Sequence, residues 1–259
     1  MVKKISKRGQ LTIFIIVAIV IVAVIIILFY PRIQKTFFVP KTPQGFLESC
    51  VNEDLQKAVL KLENQGASLN PENYIYYNNN KVNYLCYTNE YYKTCTMQVP
   101  FVKEQFEKEL KTAIEKKAEE CVNSLVQDYR SKGYEVTSKK PEVSVELVLK
   151  NIKIEIALNL ILKKENTESY EKLVILKDSD IYNLVSISES ILNWEARYGD
   201  SAPETFMQYY PDLRIEKLKQ GDGSKIYIVG NRETNENFIF ATRSLSWPAG
   251  YNVNQETVK

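Results

Sequence analysis

Four cysteines are the residues of this chain best suited to form specific covalent links. Three pairings are open to them, with four reduced, buried cysteines as the alternative, and their spacing lacks the Cys-x-x-Cys pair of a zinc knuckle. An even number of cysteines favours disulfides when a domain lies outside the cytoplasm. We favour Cys86–Cys95, because a hairpin with the four-residue loop 89–92 places them directly opposite each other. We also favour Cys50–Cys121, because each lies on the apolar face of a predicted helix.

The chain contains no histidine. It therefore lacks the commonest general base and the commonest metal ligand, which excludes Ser-His-Asp catalysis, Cys-His catalysis and histidine-containing zinc sites. We predict that the protein is not an enzyme and that it has no catalytic residues, no metal site and no cofactor. Chemistry based on carboxylates alone, or on a Ser-Lys pair, is the enzymatic alternative.

Three short polar motifs resemble catalytic or ion-binding signatures but lack the partners that such sites need. Residues 169–172 have the Ser-x-x-Lys spacing of penicillin-binding enzymes, without the companion Ser-Asp-Asn and Lys-Thr-Gly motifs. Residues 178–180 resemble the start of a calcium loop, but no distal glutamate follows, so a helix cap is the better interpretation. Residues 221–225 lack the spacing of a phosphate loop and are predicted to form a turn.

Residues 73–92 are rich in tyrosine and asparagine, and we call them the tyrosine segment. Tyrosine offers a large, rigid contact area with a polar tip, and asparagine offers adaptable hydrogen bonding, a pairing that binding loops use. The alternative is ordinary strand tyrosine combined with codon bias. We predict a contact surface made by the seven tyrosines of this segment, which are Tyr74, Tyr76, Tyr77, Tyr84, Tyr87, Tyr91 and Tyr92.

The N-terminal region carries the strongest signal for location. Residues 1–9 contain four basic residues and no acid, and residues 11–30 are 20 uncharged, almost wholly apolar positions. As a helix, this stretch would span roughly 30 Å, the thickness of a bilayer core. We predict a single-pass protein of the cell membrane, in contact with membrane lipid, with a cytoplasmic N-terminus and the C-terminal domain outside. A cleaved secretory signal peptide is the alternative.

The local pattern at the start of the apolar run is more specific. Basic residues, then Gly9-Gln10-Leu11-Thr12, then a long apolar helix, resemble the class III signal peptide of archaeal type IV pilin-like proteins. In that family a membrane peptidase cuts after the glycine, and the helix remains as anchor and polymerisation stem. The resemblance implies cleavage between Gly9 and Gln10, with other pilin-like subunits or a surface partner as binding partners. Phe14 stands where many filament-forming pilins carry a glutamate. The layout, with Glu48-Ser49-Cys50, also resembles uncharacterised single-span surface proteins of small archaea.

The remaining chain is predicted to form an extracytoplasmic domain of near-neutral charge. After the leader, the chain contains 30 basic and 32 acidic residues. This near balance of charge lacks the positive excess that a nucleic-acid-binding domain needs. Alternating helical and β patterns predict an α+β fold, in which an N-terminal transmembrane helix precedes a disulfide-stabilised ectodomain of helices packed on antiparallel sheet. The predicted divisions are the basic leader 1–9, the transmembrane helix and its outer extension 10–36, the stalk 37–42, and two ectodomain lobes at 43–165 and 166–259.

These features together predict a membrane-anchored, pilin-like extracytoplasmic surface protein with a structural or adhesive role. A non-polymerising anchored binding module is the first alternative, and an extracytoplasmic carboxylate-dependent hydrolase is the second.

Overall fold

The structure, a computed structural model, describes residues 17–21 and 42–247. The chain divides into two compact units between Phe46 and Leu47. Residues 17–21 are helical, and among the described residues no helix is long and apolar enough to cross a membrane. The predicted cleavage site at Gly9 and Gln10, and most of the predicted transmembrane helix and stalk, lie outside the described residues.

Four helices follow within residues 42–247, and a cap residue or a glycine marks three of their ends. The hydroxyl of Thr42 accepts a hydrogen bond from the Gly45 amide (3.2 Å) at the start of the first helix. Gly66 and Gly199 adopt positive φ just beyond the first and third helices, as helix-terminating glycines do. The helices are α1 (Pro43–Asn64), α2 (Val102–Ser131), α3 (Ile181–Tyr198) and α4 (Pro203–Tyr209).

Ten strands of the described residues form two sheets. Their bounds are β1 (Tyr74–Tyr77), β2 (Asn80–Tyr87), β3 (Thr96–Met97), β4 (Glu135–Thr137), β5 (Glu142–Val148), β6 (Asn151–Lys163), β7 (Thr167–Asp178), β8 (Leu213–Lys219), β9 (Ser224–Asn231) and β10 (Asn237–Arg243). The first sheet has the order β1-β2-β10-β9-β8, with β3 also paired to β2. The second has the order β4-β6-β5, with β7 also paired to β6.

The first sheet is mixed, whereas the sequence predicted antiparallel sheet. Strands β2 and β10 pair in parallel, while the other pairings within the sheet are antiparallel. These two strands are far apart along the chain, so neither the turn chemistry nor the alternation of either strand indicates their pairing.

The second sheet is antiparallel and contains the predicted hairpin. Strands β5 and β6 pair from Val148 opposite Asn151 to Glu142 opposite Ala157, and Lys150 has positive φ in the turn. Strand β7, which the sequence did not predict, pairs along β6 with a bulge at Ala157/Leu160. These two strands lie on either side of the predicted lobe boundary at 165, and the division into lobes stays a prediction.

Helix α3 contacts both sheets and organises the core. It contacts β2, β9 and β10 of the mixed sheet and β5 and β6 of the antiparallel sheet, while α2 packs on β4 and β5. Its buried side chains include Leu184, Ile191 and Leu192, and the mixed sheet contributes fully buried Phe238 and Phe240. The domain is therefore α+β with helices packed on sheets, as predicted, although one of the sheets is mixed.

Both favoured disulfides are present. Cys50–Cys121 joins α1 to α2 with a Cα–Cα distance of 5.9 Å, and Cys86–Cys95 has a Cα–Cα distance of 5.4 Å. Both distances lie within the range that a disulfide spans. The described part of the chain contains no free cysteine.

The hairpin that suggested the second bridge has a different register from the predicted one. Cys86 lies opposite Met97, so Cys86 and Cys95 are diagonal neighbours and do not face each other directly. The reason lies in residues 92–95, which run beside residues 244–246 before the chain returns to β2. Leu245 N donates to Lys93 O (2.8 Å), and Cys95 N donates to Ser244 Oγ (2.9 Å).

Candidate functional site

A cavity of about 330 Å³ lies between the end of α3 and α4. Its volume falls at the lower end of the range typical of small-molecule sites. The lining has no charged side chain and is dominated by aromatic rings, and we call it the aromatic cavity. Its lining residues are Trp194, Ser201, Ala202, Thr205, Phe206, Tyr209 and Tyr210.

A tight turn after α3 brings the two helices together. Gly199 ends α3 with φ 81°, and its amide donates to Glu195 O (2.9 Å). A Cβ at Gly199 would lie only 2.6 Å from the Cβ of Leu245, so both the backbone angle and the space require glycine. Pro203 then begins α4, where its fixed φ suits the first helical turn. The sequence around 199–203 thus places α4 beside Trp194.

Contacts with strand β8 hold α4 in position. Ile215 N donates to Met207 Sδ (3.3 Å), and Leu213 N donates to Tyr210 O (3.0 Å). The short helix is therefore fixed at its C-terminal end as well as at the turn that precedes it.

The aromatic side chains of the cavity remain largely exposed. Trp194 and Tyr210 are about half exposed, and Tyr209 is 75% exposed. Next to them, the rings of Trp194 and Tyr198 lie 4.8 Å apart, and the Arg197 guanidinium lies 5.3 Å from the centre of the Tyr198 ring. Exposed, clustered aromatic surface of this kind is typical of interaction sites.

A buried ionic network lies next to the cavity, and we call it the Glu195 network. Glu195 is completely buried and accepts two hydrogen bonds from Lys225 Nζ (2.8 and 3.1 Å) and one from the Tyr227 hydroxyl. Lys225 Nζ also contacts Asp200 Oδ1 (3.0 Å) and donates to Gly199 O. A buried charge needs this degree of pairing, because an unpaired one carries a large desolvation cost.

The network fixes the turn that carries the floor of the cavity. Lys217 Nζ donates to both carboxylate oxygens of Asp200 (3.0 and 3.1 Å) and to Ser201 O (2.7 Å). Ser201 is buried and lines the cavity, and its hydroxyl finds no hydrogen-bond partner among the described residues. Lys217 thus ties the floor to strand β8 through three hydrogen bonds, while the Ser201 hydroxyl remains unsatisfied among the described residues.

Burial and the neighbouring groups together shift the pKa values of the two carboxylates in the network. Burial raises the pKa of Glu195, although Lys225 and the Tyr227 hydroxyl act in the opposite direction. For Asp200, burial alone would raise the pKa. Hydrogen bonds and positive charge from Lys217 and Lys225 outweigh that effect, so the pKa of Asp200 lies below its ordinary value. Because these groups satisfy one another inside the protein, the arrangement suits a structural role, and the cavity is suited to binding.

The structure divides the tyrosine segment between different surfaces. Tyr74 and Tyr76 lie on one face of β1 with ring centres 5.2 Å apart. Tyr77 and Tyr87 pack against an apolar cluster of the mixed sheet to which Tyr84 belongs. Tyr84 is buried, with its hydroxyl 2.7 Å from Ser224 Oγ, so its side chain is part of the core.

Tyr91 and Tyr92 lie in the loop before β3, where both are about half exposed. The ring of Tyr92 packs against Trp247 with centres 4.9 Å apart. The seven tyrosines therefore do not form one continuous face, and none of them lines the aromatic cavity. A contact role for the exposed ones stays a prediction.

The short polar motifs have local structural roles. In residues 169–172, which lie on β7, the side chain of Lys172 pairs with Glu155 (3.0 Å). Asp180 is the N-cap residue of α3, and Ser179, one residue before it, accepts a hydrogen bond from Ile181 N (3.2 Å) through its hydroxyl. Among the described residues, no group of three or more acidic or cysteine side chains is placed to hold a metal ion.

Sequence reasoning did not identify the aromatic cavity or the Glu195 network. The sequence contains a signal for the aromatic cavity, because five aromatic residues occur from position 194 to position 210. No local signal existed for the second, because Glu195, Asp200, Lys217, Lys225 and Tyr227 come from one helix, one turn and two strands.

No known protein family, curated protein or solved structure matched this chain.

Proposed function

We propose that this chain is a membrane-anchored, extracytoplasmic surface protein of archaeal pilin-like type, with a structural or adhesive role. The observation that carries the proposal is the pair of disulfides, Cys50–Cys121 and Cys86–Cys95, which use every cysteine of the chain. Disulfides of this kind persist outside the reducing cytoplasm. The basic leader and the apolar run at 11–30 would anchor the domain on the extracytoplasmic face of the cell membrane.

The location is tested by alkylating free thiols at the moment when the cells are lysed. Cells are lysed in denaturant with an alkylating reagent and no reductant, and the four cysteines are mapped by mass spectrometry. We expect all four to remain unalkylated until a reductant is added. Free thiols at these positions would contradict an extracytoplasmic location, because the exported protein should be oxidised.

The pilin-like part of the proposal is tested at the N-terminus. Mass spectrometry of the terminal peptide from native membranes should show a chain that begins at Gln10. A chain that still begins at Met1 would remove the pilin-like assignment and leave an anchored surface domain.

A second candidate, a non-polymerising anchored binding module, is favoured by the aromatic cavity. Its large exposed rings suit a ligand or partner, and they need no neighbouring subunit to be useful. Chemical cross-linking of the native membrane distinguishes the two candidates. A ladder of homo-oligomers supports assembly, and a monomer that binds a ligand at the cavity supports the module.

A further inference from the structure

We infer that the aromatic cavity binds a neutral carbohydrate ring, an inference that builds on the adhesive role proposed above. The cavity is concave, and three of its rings remain at least half exposed beside a rigid floor. Exposed aromatic surface carries a hydration cost, and a concave arrangement of it suits a ligand that covers the rings. A flat or protruding patch would instead suit a large protein face.

The chemistry of the lining identifies the ligand class. It combines the aromatic side chains of Trp194, Phe206, Tyr209 and Tyr210 with hydroxyl-bearing residues, and it has no charged side chain. A pyranose has an apolar face of C–H groups that stacks on aromatic rings and a rim of hydroxyls that both donate and accept. Serine, threonine and tyrosine hydroxyls have the same dual capacity, so the two sets of groups satisfy each other.

A proline-rich peptide is the competing ligand, because aromatic-lined grooves also bind polyproline helices. Such a peptide offers carbonyl acceptors but no N–H at its prolines, so it leaves the acceptor capacity of the cavity's hydroxyls unused.

The Glu195 network makes the site pre-organised. Lys217 bonds both Asp200 and Ser201, and Lys225 bonds Glu195 and the carbonyl of Gly199, so the turn beneath the cavity is fixed before a ligand arrives. A pre-formed site avoids the entropic cost of ordering a loop on binding, which matters for the weak stacking of a single sugar ring.

The two tryptophans of the chain allow a direct test. The substitution Trp247→Phe leaves Trp194 as the only tryptophan, and Trp247 does not line the cavity. The full-length variant, in mild detergent, is titrated with three neutral probes: cellotetraose, maltotetraose and chitotetraose. We expect at least one to give a saturable change in Trp194 emission. A decaproline peptide is titrated in parallel.

Further substitutions separate a cavity effect from a general one. Tyr209→Ala should weaken binding of the responding saccharide by about tenfold, the loss expected for one stacking contact of about 1.4 kcal/mol. Phe101→Ala is the matched control, because Phe101 is an equally exposed aromatic residue outside the cavity, and it should leave the affinity unchanged.

The inference is overturned if none of the three saccharides changes the emission, if only decaproline does, or if Tyr209→Ala and Phe101→Ala bind equally. These outcomes are separate from those of the proposed function. Oxidised cysteines together with no saccharide response would reject the ligand class alone. A saccharide response together with free thiols would reject the extracytoplasmic location and keep the binding site.

Discussion

Replacing Glu63 by glutamine is expected to stabilise the fold, and the gain should increase with pH. Glu63 lies near the end of α1 and is only 7% exposed. Burial, and then the neighbouring charge of Glu236, raise its pKa from 4.5 to about 8, while Lys177 acts weakly in the opposite direction. The side chain is therefore mostly protonated in the folded state at neutral pH, whereas it is ionised in the unfolded chain.

The size and sign of the effect follow from linkage between proton binding and folding. A folded-state pKa above the unfolded one means that the contribution of Glu63 to stability is complete below about pH 4.5 and is lost as the pH rises through about 8. Glutamine mimics the protonated form at every pH. Each tenfold change in proton affinity is worth about 1.36 kcal/mol. Glu63→Gln should therefore raise the free energy of unfolding by about 1 kcal/mol at pH 5, about 3 kcal/mol at pH 7 and about 5 kcal/mol at pH 9.

Urea unfolding of the full-length chain in mild detergent, followed by far-UV circular dichroism at these three pH values, measures the effect. Glu48→Gln is the matched control, because Glu48 is an exposed residue of the same helix. This substitution should change the protein's free energy of unfolding by less than about 0.5 kcal/mol. A gain of equal size at all three pH values, or a loss at pH 9, would refute the reasoning. Either result would mean that the Glu63 carboxylate is ionised and well solvated in the folded state.

Three further variants test other parts of the structure. Lys225→Met leaves its buried carboxylate partner unpaired and should lower the free energy of unfolding by about 4 kcal/mol in urea titrations. Replacing Cys50 and Cys121 together by alanine opens a disulfide that joins residues 71 positions apart, and chain entropy predicts a loss of about 4 kcal/mol, measured in the same way. Gly199→Ala combines a φ of 81° with a contact of 2.6 Å, and a thermal unfolding scan should show a loss of about 3 kcal/mol.

The parts of the fold that the sequence predicted are those with local signals. The hairpin of β5 and β6 was predicted because apolar side chains alternate from Val143 to Leu162 and one face of each strand is buried. Helix α3 was predicted because its apolar positions recur with helical spacing and Gly199 marks its end.

The parts that were missed lack such signals. In β7, only Leu173 and Ile175 are buried, and all the other positions are exposed or half-buried, so alternation is too weak to indicate a strand. The parallel pairing of β2 with β10 depends on the packing of both strands against α3, and no short stretch of sequence predicts this pairing. The register beside Cys86 was wrong for the same reason, since residues 244–246 determine the path of that loop.

The candidate site shows the same limit. Lys225 was predicted at the junction of a turn and a strand, yet its partner Glu195 is 30 positions away on a helix. Only the tertiary structure shows that these charges meet inside the protein. The aromatic residues of α3 and α4 could have been recognised as a cluster, but without the turn at Gly199 nothing indicated that they line one cavity.

The charge state of Glu195 can be measured by removing one hydroxyl group. Tyr227 donates to the Glu195 carboxylate, and its ring stacks on Phe240 with centres 5.3 Å apart, so Tyr227→Phe removes the hydrogen bond and keeps the packing. A hydrogen bond to an ionised carboxylate is worth about 2 kcal/mol, whereas one between neutral groups is worth about 1 kcal/mol.

Tyr84→Phe supplies the neutral comparison, because that hydroxyl bonds to Ser224 Oγ and is also buried in the mixed sheet. Urea unfolding near neutral pH should therefore show a loss of about 2 kcal/mol for Tyr227→Phe and about 1 kcal/mol for Tyr84→Phe. Equal losses would mean that Glu195 is protonated in the folded state. Lys225 would then be a buried cation that depends on Asp200 for its counter-charge, and the floor of the aromatic cavity would be held by that pair instead of by Glu195.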